Sequence, residues 1–381
     1  MSAREPGGGR RAYRRREFVR LAAGGAVGLT LACAPAAPSG APSPAPAVPA
    51  AAPPPTTPGA ASSAPTVARQ PDVVRRGTLR GISFGAVIAR ERGYFAELGV
   101  DDQETVFASG VEMVQAGAAG QIDIGATSNT VTFFNAVARG LRQPFTLDIW
   151  HLEQGDKSAM VVVRPDLVDE MKTVADLRGR INAVATPVRD GGNGFQCQKV
   201  LASAGLTLED VQWERLPYPD TIAAFGNKAI EVAWPIEPFI TLGKQRGVLV
   251  PWLSMGDYDP GFQLAGIMFS ESFIKERHDV AQRWSVAYVR GLRDQLDFMA
   301  GKQHDVIAPI LAAHTGVPLE AIDQVAWGPV HPDGGLNVES ILDAQRQLVE
   351  WGTLSQSVPV EQLVDPQFAE YALQQLGPYR G

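Results

Sequence analysis

From residue 72 onward, short unbroken apolar runs alternate with stretches in which apolar residues return every three or four positions. The first pattern suits strands buried on both faces, and the second suits helices with one buried face. Ile122-Asp123-Ile124-Gly125, Phe145 to Trp150, Ala159 to Val163, Ile181 to Ala185 and Ile230 to Trp234 read as strands, with a further short one around Val106. Glu91 to Gly99 closes a helix in which Gly99 supplies the left-handed cap. Ser109-Gly110-Val111-Glu112 has capping-box spacing and opens a helix that ends in Gly117 to Gly120. Thr127-Ser128-Asn129 caps a helix running to Arg139-Gly140, and a later helix from about Phe195 to Ala204 stops at Gly205.

From Ser270 the pattern turns mostly helical. Asp279-Val280-Ala281-Gln282 again has capping-box spacing, and Val280, Trp284, Ala287, Gly291 and Leu292 fall on one helical face. Val306 to Ala313, Val338 to Trp351 and Phe368 to Leu376 complete the helices, with Trp284, Trp327 and Trp351 read as packing residues. Strands separated by helices point to parallel sheets and an α/β class. One internal echo stands out: Ile122-Asp123-Ile124-Gly125 and Ile230-Glu231-Val232-Ala233 share the order apolar, acid, apolar, small. Each follows a short helix and precedes a polar turn that opens another. The echo suggests two similar lobes, each presenting strand ends and helix N-termini to a cleft, where α/β sheets bind ligands.

The first seventy residues follow another logic. Arg14-Arg15-Arg16-Glu17-Phe18-Val19-Arg20 precedes an apolar run from Leu21 to Ala32, then Cys33. A basic stretch, a short apolar core and small residues make a secretory signal, predicted over residues 1–32. At ~1.5 Å per residue the run gives about 18 Å of helix, short of the ~30 Å needed to span a bilayer. Arg15-Arg16 with Phe18-Val19-Arg20 resembles a twin-arginine export motif, a route that carries folded proteins. Leu29-Thr30-Leu31-Ala32-Cys33 resembles a lipobox, which implies lipidation of Cys33. The competing reading is a plain signal peptide with an ordinary cysteine. Residues 33–71 are almost wholly Ala, Pro, Ser, Thr and Gly, predicting a disordered tether that reaches about 100 Å.

Composition adds limits. Of the 381 residues, 45% are hydrophobic and the formal charge is −7, with no basic face carrying interleaved aromatics, so nucleic acid is not an expected partner. Cys33 and Cys197 are the two cysteines, which leaves the mature fold without a disulfide if Cys33 is lipidated. His151, His278, His304, His314 and His331 are scattered, without metal-ligand spacing, and no Gly-x-Ser-x-Gly elbow occurs. No metal, cofactor or catalytic residue is expected.

Ile88-Ala89-Arg90-Glu91-Arg92-Gly93-Tyr94-Phe95 through Gly99-Val100, then Gln121 to Gly125, Asp176-Leu177-Arg178-Gly179-Arg180 before Ile181, and Glu237-Pro238-Phe239 recur in a fixed order. This order resembles the ABC-transporter solute-binding proteins for nitrate, sulfonates, taurine and thiamine-related pyrimidines, over about residues 77–377. The resemblance implies a two-lobed periplasmic binding protein-like fold of the second type, each lobe a mixed sheet flanked by helices, joined by two hinge crossovers. Lobe 1 would take residues 72–162 plus 265–381 and lobe 2 residues 163–264. It also implies an exported, lipid-anchored monomer serving an ABC permease and its ATPase, at the outer face of the cytoplasmic membrane or in the periplasm.

Candidate ligand contacts follow from the predicted strand ends. Thr127, Ser128 and Asn129 offer hydroxyls, an amide and free N–H groups to an anion or a polar ring edge, the competing role being a helix cap. Arg189 and the loop Gly191-Gly192-Asn193-Gly194 suit a carboxylate, sulfonate or phosphate, with Gly192 and Asn193 contributing, although Arg189 equally suits a solvated surface. Trp234 offers a stacking face or interlobe packing, Glu237 favours an amine or ring N–H, and Phe84 and Trp150 stand near strand ends. Aliphatic sulfonates, amino-sulfonates and heterocycles stay open as solutes. The alternatives are an enzyme on the same fold, of pyrimidine or menaquinone-type metabolism, and a tethered solute sensor.

Overall fold

Among the described residues, ten strands form two five-stranded sheets. The computed structural model describes residues 70–79, 81–107 and 109–381; the leader, Cys33 and the tether up to residue 69 lie outside them. The first lobe opens with β1 (Asp72–Thr78), α1 (Phe84–Glu91), α2 (Tyr94–Glu97), β2 (Val100–Val106), α3 (Gly110–Ala118), β3 (Ile124–Ser128), α4 (Val131–Ala138) and β4 (Phe145–His151). The chain then crosses to a second lobe of β5 (Met160–Val163), β6 (Ile181–Val184), α5 (Asn193–Ala202), β7 (Gln212–Arg215), α6 (Tyr218–Gly226), β8 (Val232–Ala233), α7 (Phe239–Gln245) and β9 (Val250–Ser254). It returns through β10 (Gln263–Phe269) to the helical remainder of the first lobe. That remainder holds α8 (Glu271–Glu276), α9 (His278–Met299), α10 (His304–Thr315), α11 (Val338–Glu350), α12 (Val360–Leu363) and α13 (Gln367–Leu376).

The strand orders are β2-β1-β3-β10-β4 and β7-β6-β8-β5-β9. In each sheet four strands point the same way, while the strand that follows a crossover, β10 or β5, inserts antiparallel between the third strand and the edge. The sheets are therefore mixed, not parallel throughout. The crossovers are residues 152–159 and 255–262. Met160–Val163, which the expected boundary after residue 162 left mostly in lobe 1, pairs in the second sheet. Val161, Val162 and Val163 are fully buried there, as an inserted central strand requires.

The echoed segments hold the same place in the two sheets, as β3 and β8. Their acids do the same work. Asp123 Oδ2 accepts the Arg75 backbone N–H at 2.9 Å, and its Oδ1 accepts the Arg75 guanidinium at 2.7 Å. Glu231 Oε2 accepts the Ile181 N–H at 2.9 Å, and its Oε1 accepts the Arg180 guanidinium at 2.9 Å. Each carboxylate thus ties the strand that carries it to the neighbouring parallel strand, at the end remote from the strand-to-helix loops.

Among the described residues, side-chain caps open α3, α4, α8 and α11. The Ser109 hydroxyl accepts the Glu112 N–H and caps α3 as its spacing predicts. The cap of α4 is Thr130, whose side chain accepts from Phe133, and not the Thr127–Asn129 group, because pairing of Ser128 with Ala265 extends β3. The helix expected through Gly99 breaks at Gly93 (φ 77°), which separates α1 from α2. α9 begins at His278, so Asp279 stands in its first turn and pairs with Arg283 in place of capping. α9 packs so closely on α1 that a Cβ on Gly291 would sit 2.0 Å from the Gly85 carbonyl oxygen. No helix among the described residues is long and apolar enough to cross a membrane.

Candidate functional site

Strand-to-helix loops of the two lobes meet. Thr130 and Gly191 form an isolated β-bridge, and the Gly192 N–H donates to the Asn129 carbonyl at 3.0 Å. Gly191 has φ 97°, and a Cβ there would lie 2.3 Å from Asn129 O, so glycine is needed for the contact. Gly191, Gly192, Asn193 and Gly194 are all buried. The structure thus brings together four of the expected contacts, Ser128, Asn129, Gly192 and Asn193, with Thr127 buried next to them in β3.

Asn129 is the centre of this junction. Its Nδ2 donates to the Gln263 carbonyl at 2.7 Å, at the start of β10 and the end of the second crossover. A carbonyl only accepts, which fixes the amide orientation and leaves Oδ1 buried without a protein partner. Ser83, before α1, is 1% exposed with φ 61°, and its hydroxyl neither caps its helix nor finds another partner. On the second lobe, Asn193 Nδ2 donates to the Trp234 carbonyl at 2.6 Å and its side chain lies beside the Tyr218 hydroxyl, which burial pushes up. Helices α1, α4 and α5 begin at the loops that follow β1, β3 and β6, and the Thr130 side chain takes the Phe133 N–H of α4. Such a junction suits a small polar solute with both donors and acceptors.

The other expected contacts are used differently. The Arg189 guanidinium pairs with Glu209 and is 42% exposed, so it faces the surface. Phe84 stands edge-on to Trp327, ring centroids 5.0 Å apart, in a small apolar cluster with Ile88 and Leu311. The Trp150 indole N–H donates to Ser158 Oγ at 3.0 Å, and its ring packs so tightly on Gly328 that no Cβ fits there. The Trp234 indole donates to Asn182 Oδ1 at 3.0 Å. Glu237 is 3% exposed and accepts the Thr241 N–H at 2.9 Å and the Thr241 hydroxyl at 2.8 Å. Burial pushes its carboxyl up, against the lowering effect of the Thr241 bonds. These side chains are spent on bonds within the protein.

Sequence reasoning passed over Ser83, Gln263 and Tyr218. Ser83 follows a strand, β1, that holds two consecutive arginines and so lacks an apolar run. For Gln263 the available signal was the Pro260-Gly261 turn just before its strand. A groove of about 260 Å³ lined by Thr146, His331, Leu336, Val364 and Leu373 lies in the first lobe, away from the junction. Among the described residues no group of three or more His, Cys, Asp or Glu is placed to hold a metal.

A family model described as NMT1/THI5 like matches residues 83–297, more than half of the chain. A Brucella abortus protein named as a binding protein is 25% identical over 208 residues, covering 54% of this chain and 61% of that protein's own length. The chain therefore spans less than two thirds of this relative. Among solved structures, the alkanesulfonate-binding protein SsuA of Xanthomonas axonopodis pv. citri, bound to MOPS, superposes with a TM-score of 0.63 at 17% identity. The match covers 78% of this chain and all of that one. The desulfurization enzyme DszB superposes with a TM-score of 0.58 at 15% identity, covering 80% of this chain and 99% of its own. At these identities the likeness is one of fold, and the same fold carries a binding protein and an enzyme.

Proposed function

Because the chain belongs to the NMT1/THI5-like family, we propose that it is an extracytoplasmic solute-binding protein of an ABC importer. It captures a small polar or anionic solute between its lobes and hands it to a permease, with Cys33 as the lipid anchor and residues 33–71 as the tether. The observation that carries the reading is the Asn129–Gly192 junction, where loops of both lobes close on each other around a buried polar atom without a protein partner, Asn129 Oδ1; Ser83 Oγ, likewise buried and unpartnered, stands in the loop after β1, the strand that pairs with β3. Leaving such atoms unpaired costs about 1–3 kcal/mol each, which a solute supplying a donor recovers. Ser83, Thr127, Ser128, Asn129, Gly192 and Asn193 form the contact set. Sulfonates, nitrate and pyrimidine-type heterocycles are the solute classes to screen. The enzyme reading has DszB's shared fold in its favour. Against it, Cys197 is buried and burial pushes its thiol well up, which makes it a poor nucleophile.

The test is a thermal-shift screen of ethanesulfonate, taurine, nitrate, aminopyrimidines and flavins, followed by calorimetry. Stoichiometric binding that leaves the solute unchanged, and that Asn129→Ala weakens at least tenfold, is the expected result. Chemical turnover of a bound compound would overturn the transport reading. Mass spectrometry of the exported protein should find a diacylglyceryl adduct on Cys33, and processing at another residue removes the anchor.

A further inference from the structure

We propose that Glu237 and Thr241 form an interlobe latch, positioning residues that seat the second lobe on the helical part of the first without touching solute. Glu237 lies just before α7 and Thr241 in its first turn, both in the second lobe. Thr241 Oγ1 lies 3.1 Å from the carbonyl oxygen of Gln324, and Glu237 Oε1 accepts the Ala326 N–H at 3.4 Å. Gln324 ends a short 3-10 turn, Leu319–Gln324, that follows α10 in the first lobe. Two polar contacts therefore run from one turn of α7 to one three-residue segment across the lobe boundary.

The surroundings make these contacts count. Glu237 is 3% exposed and Thr241 1%. Leu242, the next residue, packs against the apolar cluster of Phe84, Ile307, Leu311 and Trp327 in the first lobe. On the other side, the loop before α1 abuts the latch, since a Cβ on Gly81 would lie 3.5 Å from Pro238 Cδ. The Thr241 hydroxyl has one proton, which serves either Glu237 at 2.8 Å or Gln324. The Ala326 amide then gives the buried carboxylate a donor that its own helix does not supply. Parting the lobes removes that donor and leaves Gln324 and Ala326 to be rehydrated. Because the latch shares no residue with the Asn129–Gly192 junction, closure has a second fastening that operates with or without solute.

Hydrogen exchange of the full-length protein, with no solute added, tests this directly. Thr241→Val keeps the side-chain shape and removes the hydroxyl, and Glu237→Gln sets an amide against the Thr241 and Ala326 N–H groups. Each variant should raise exchange at the Ala326 amide ~5-fold, the worth of one ordinary hydrogen bond, while amides in β1 and β6 keep their rates. Thr241→Ser, which restores the hydroxyl, should restore protection at Ala326. Unchanged exchange at Ala326 in Thr241→Val overturns the latch. A uniform rise at Ala326, β1 and β6 overturns it too, since that marks general loosening. The outcome is independent of the solute screen, so either proposal can fail alone.

Discussion

The Arg76 guanidinium has no exposed surface, yet it lies on a strand inside the first lobe. Asp102 and Glu104 hold it at 2.9 and 2.8 Å, and the Trp284 indole donates to Asp102 at 2.9 Å. Burial alone would push the Glu104 carboxyl up, but the Arg76 charge and hydrogen bond bring it below its ordinary range. Asp102→Ala leaves the buried Arg76 with Glu104 alone and the Trp284 indole N–H unpaired, and urea unfolding should register a loss of roughly 3 kcal/mol. At this scale the sequence was readable where a contact depends on neighbours along the chain. Asn129, Gly192 and Asn193 stand next to a strand end or in a glycine turn, and they do meet. Arg189 takes the surface role and Trp234 the packing role that the sequence also offered, through Glu209 and Asn182, while Glu237 is spent on Thr241 and Ala326.

Elements with a local signature were legible. The α3 cap, the apolar stripe of α9 and the acid-bearing strands β3 and β8 all fall within a few residues of their predicted places. β1, β7, β9 and β10 were not read. β1 hides its pattern behind two arginines, while β10 was missed although a Pro260-Gly261 turn precedes it and the Ser270 cap of α8 follows it. Pairing with β10 is also what shifts the α4 cap from Ser128 to Thr130. The loop that opens α5 carries the sharpest element-scale prediction. Gly191→Ala places a Cβ against Asn129 O in a backbone conformation that L-residues avoid, at a cost of order 1–3 kcal/mol. Calorimetry and hydrogen exchange should show lost protection at the Gly192 amide and weaker solute binding, with the fold of both sheets intact.

At the scale of the whole molecule, the repeated strand order and the ordered family-like segments made the two-lobed plan legible, while the crossover positions needed the pairing of β5 and β10. The first crossover starts beside a histidine with two acidic neighbours. His151 Nδ1 lies 3.0 Å from Asp148 Oδ2 and Nε2 3.3 Å from Glu153 Oε1. Burial disfavours the imidazolium, but Asp148 and then Glu153 outweigh it, and the group titrates above its ordinary 6.5. A raised histidine adds stability that is complete below about pH 6.5 and disappears as pH climbs through the folded-state value. Urea melts across pH 6 to 9 should therefore show stability falling with rising pH in the wild type, with a shallower fall in His151→Gln. Equal slopes would remove His151 from the account.

β10 lies between β3 and β4, yet the chain makes both of those strands, and then the entire second lobe, before it makes β10. On a growing chain, β3 and β4 each present an open edge until Phe269 has emerged, and open edges invite pairing with other chains. The lobe that is synthesised first is thus the one completed last, and a chain interrupted anywhere before residue 263 leaves its earliest sheet in two pieces.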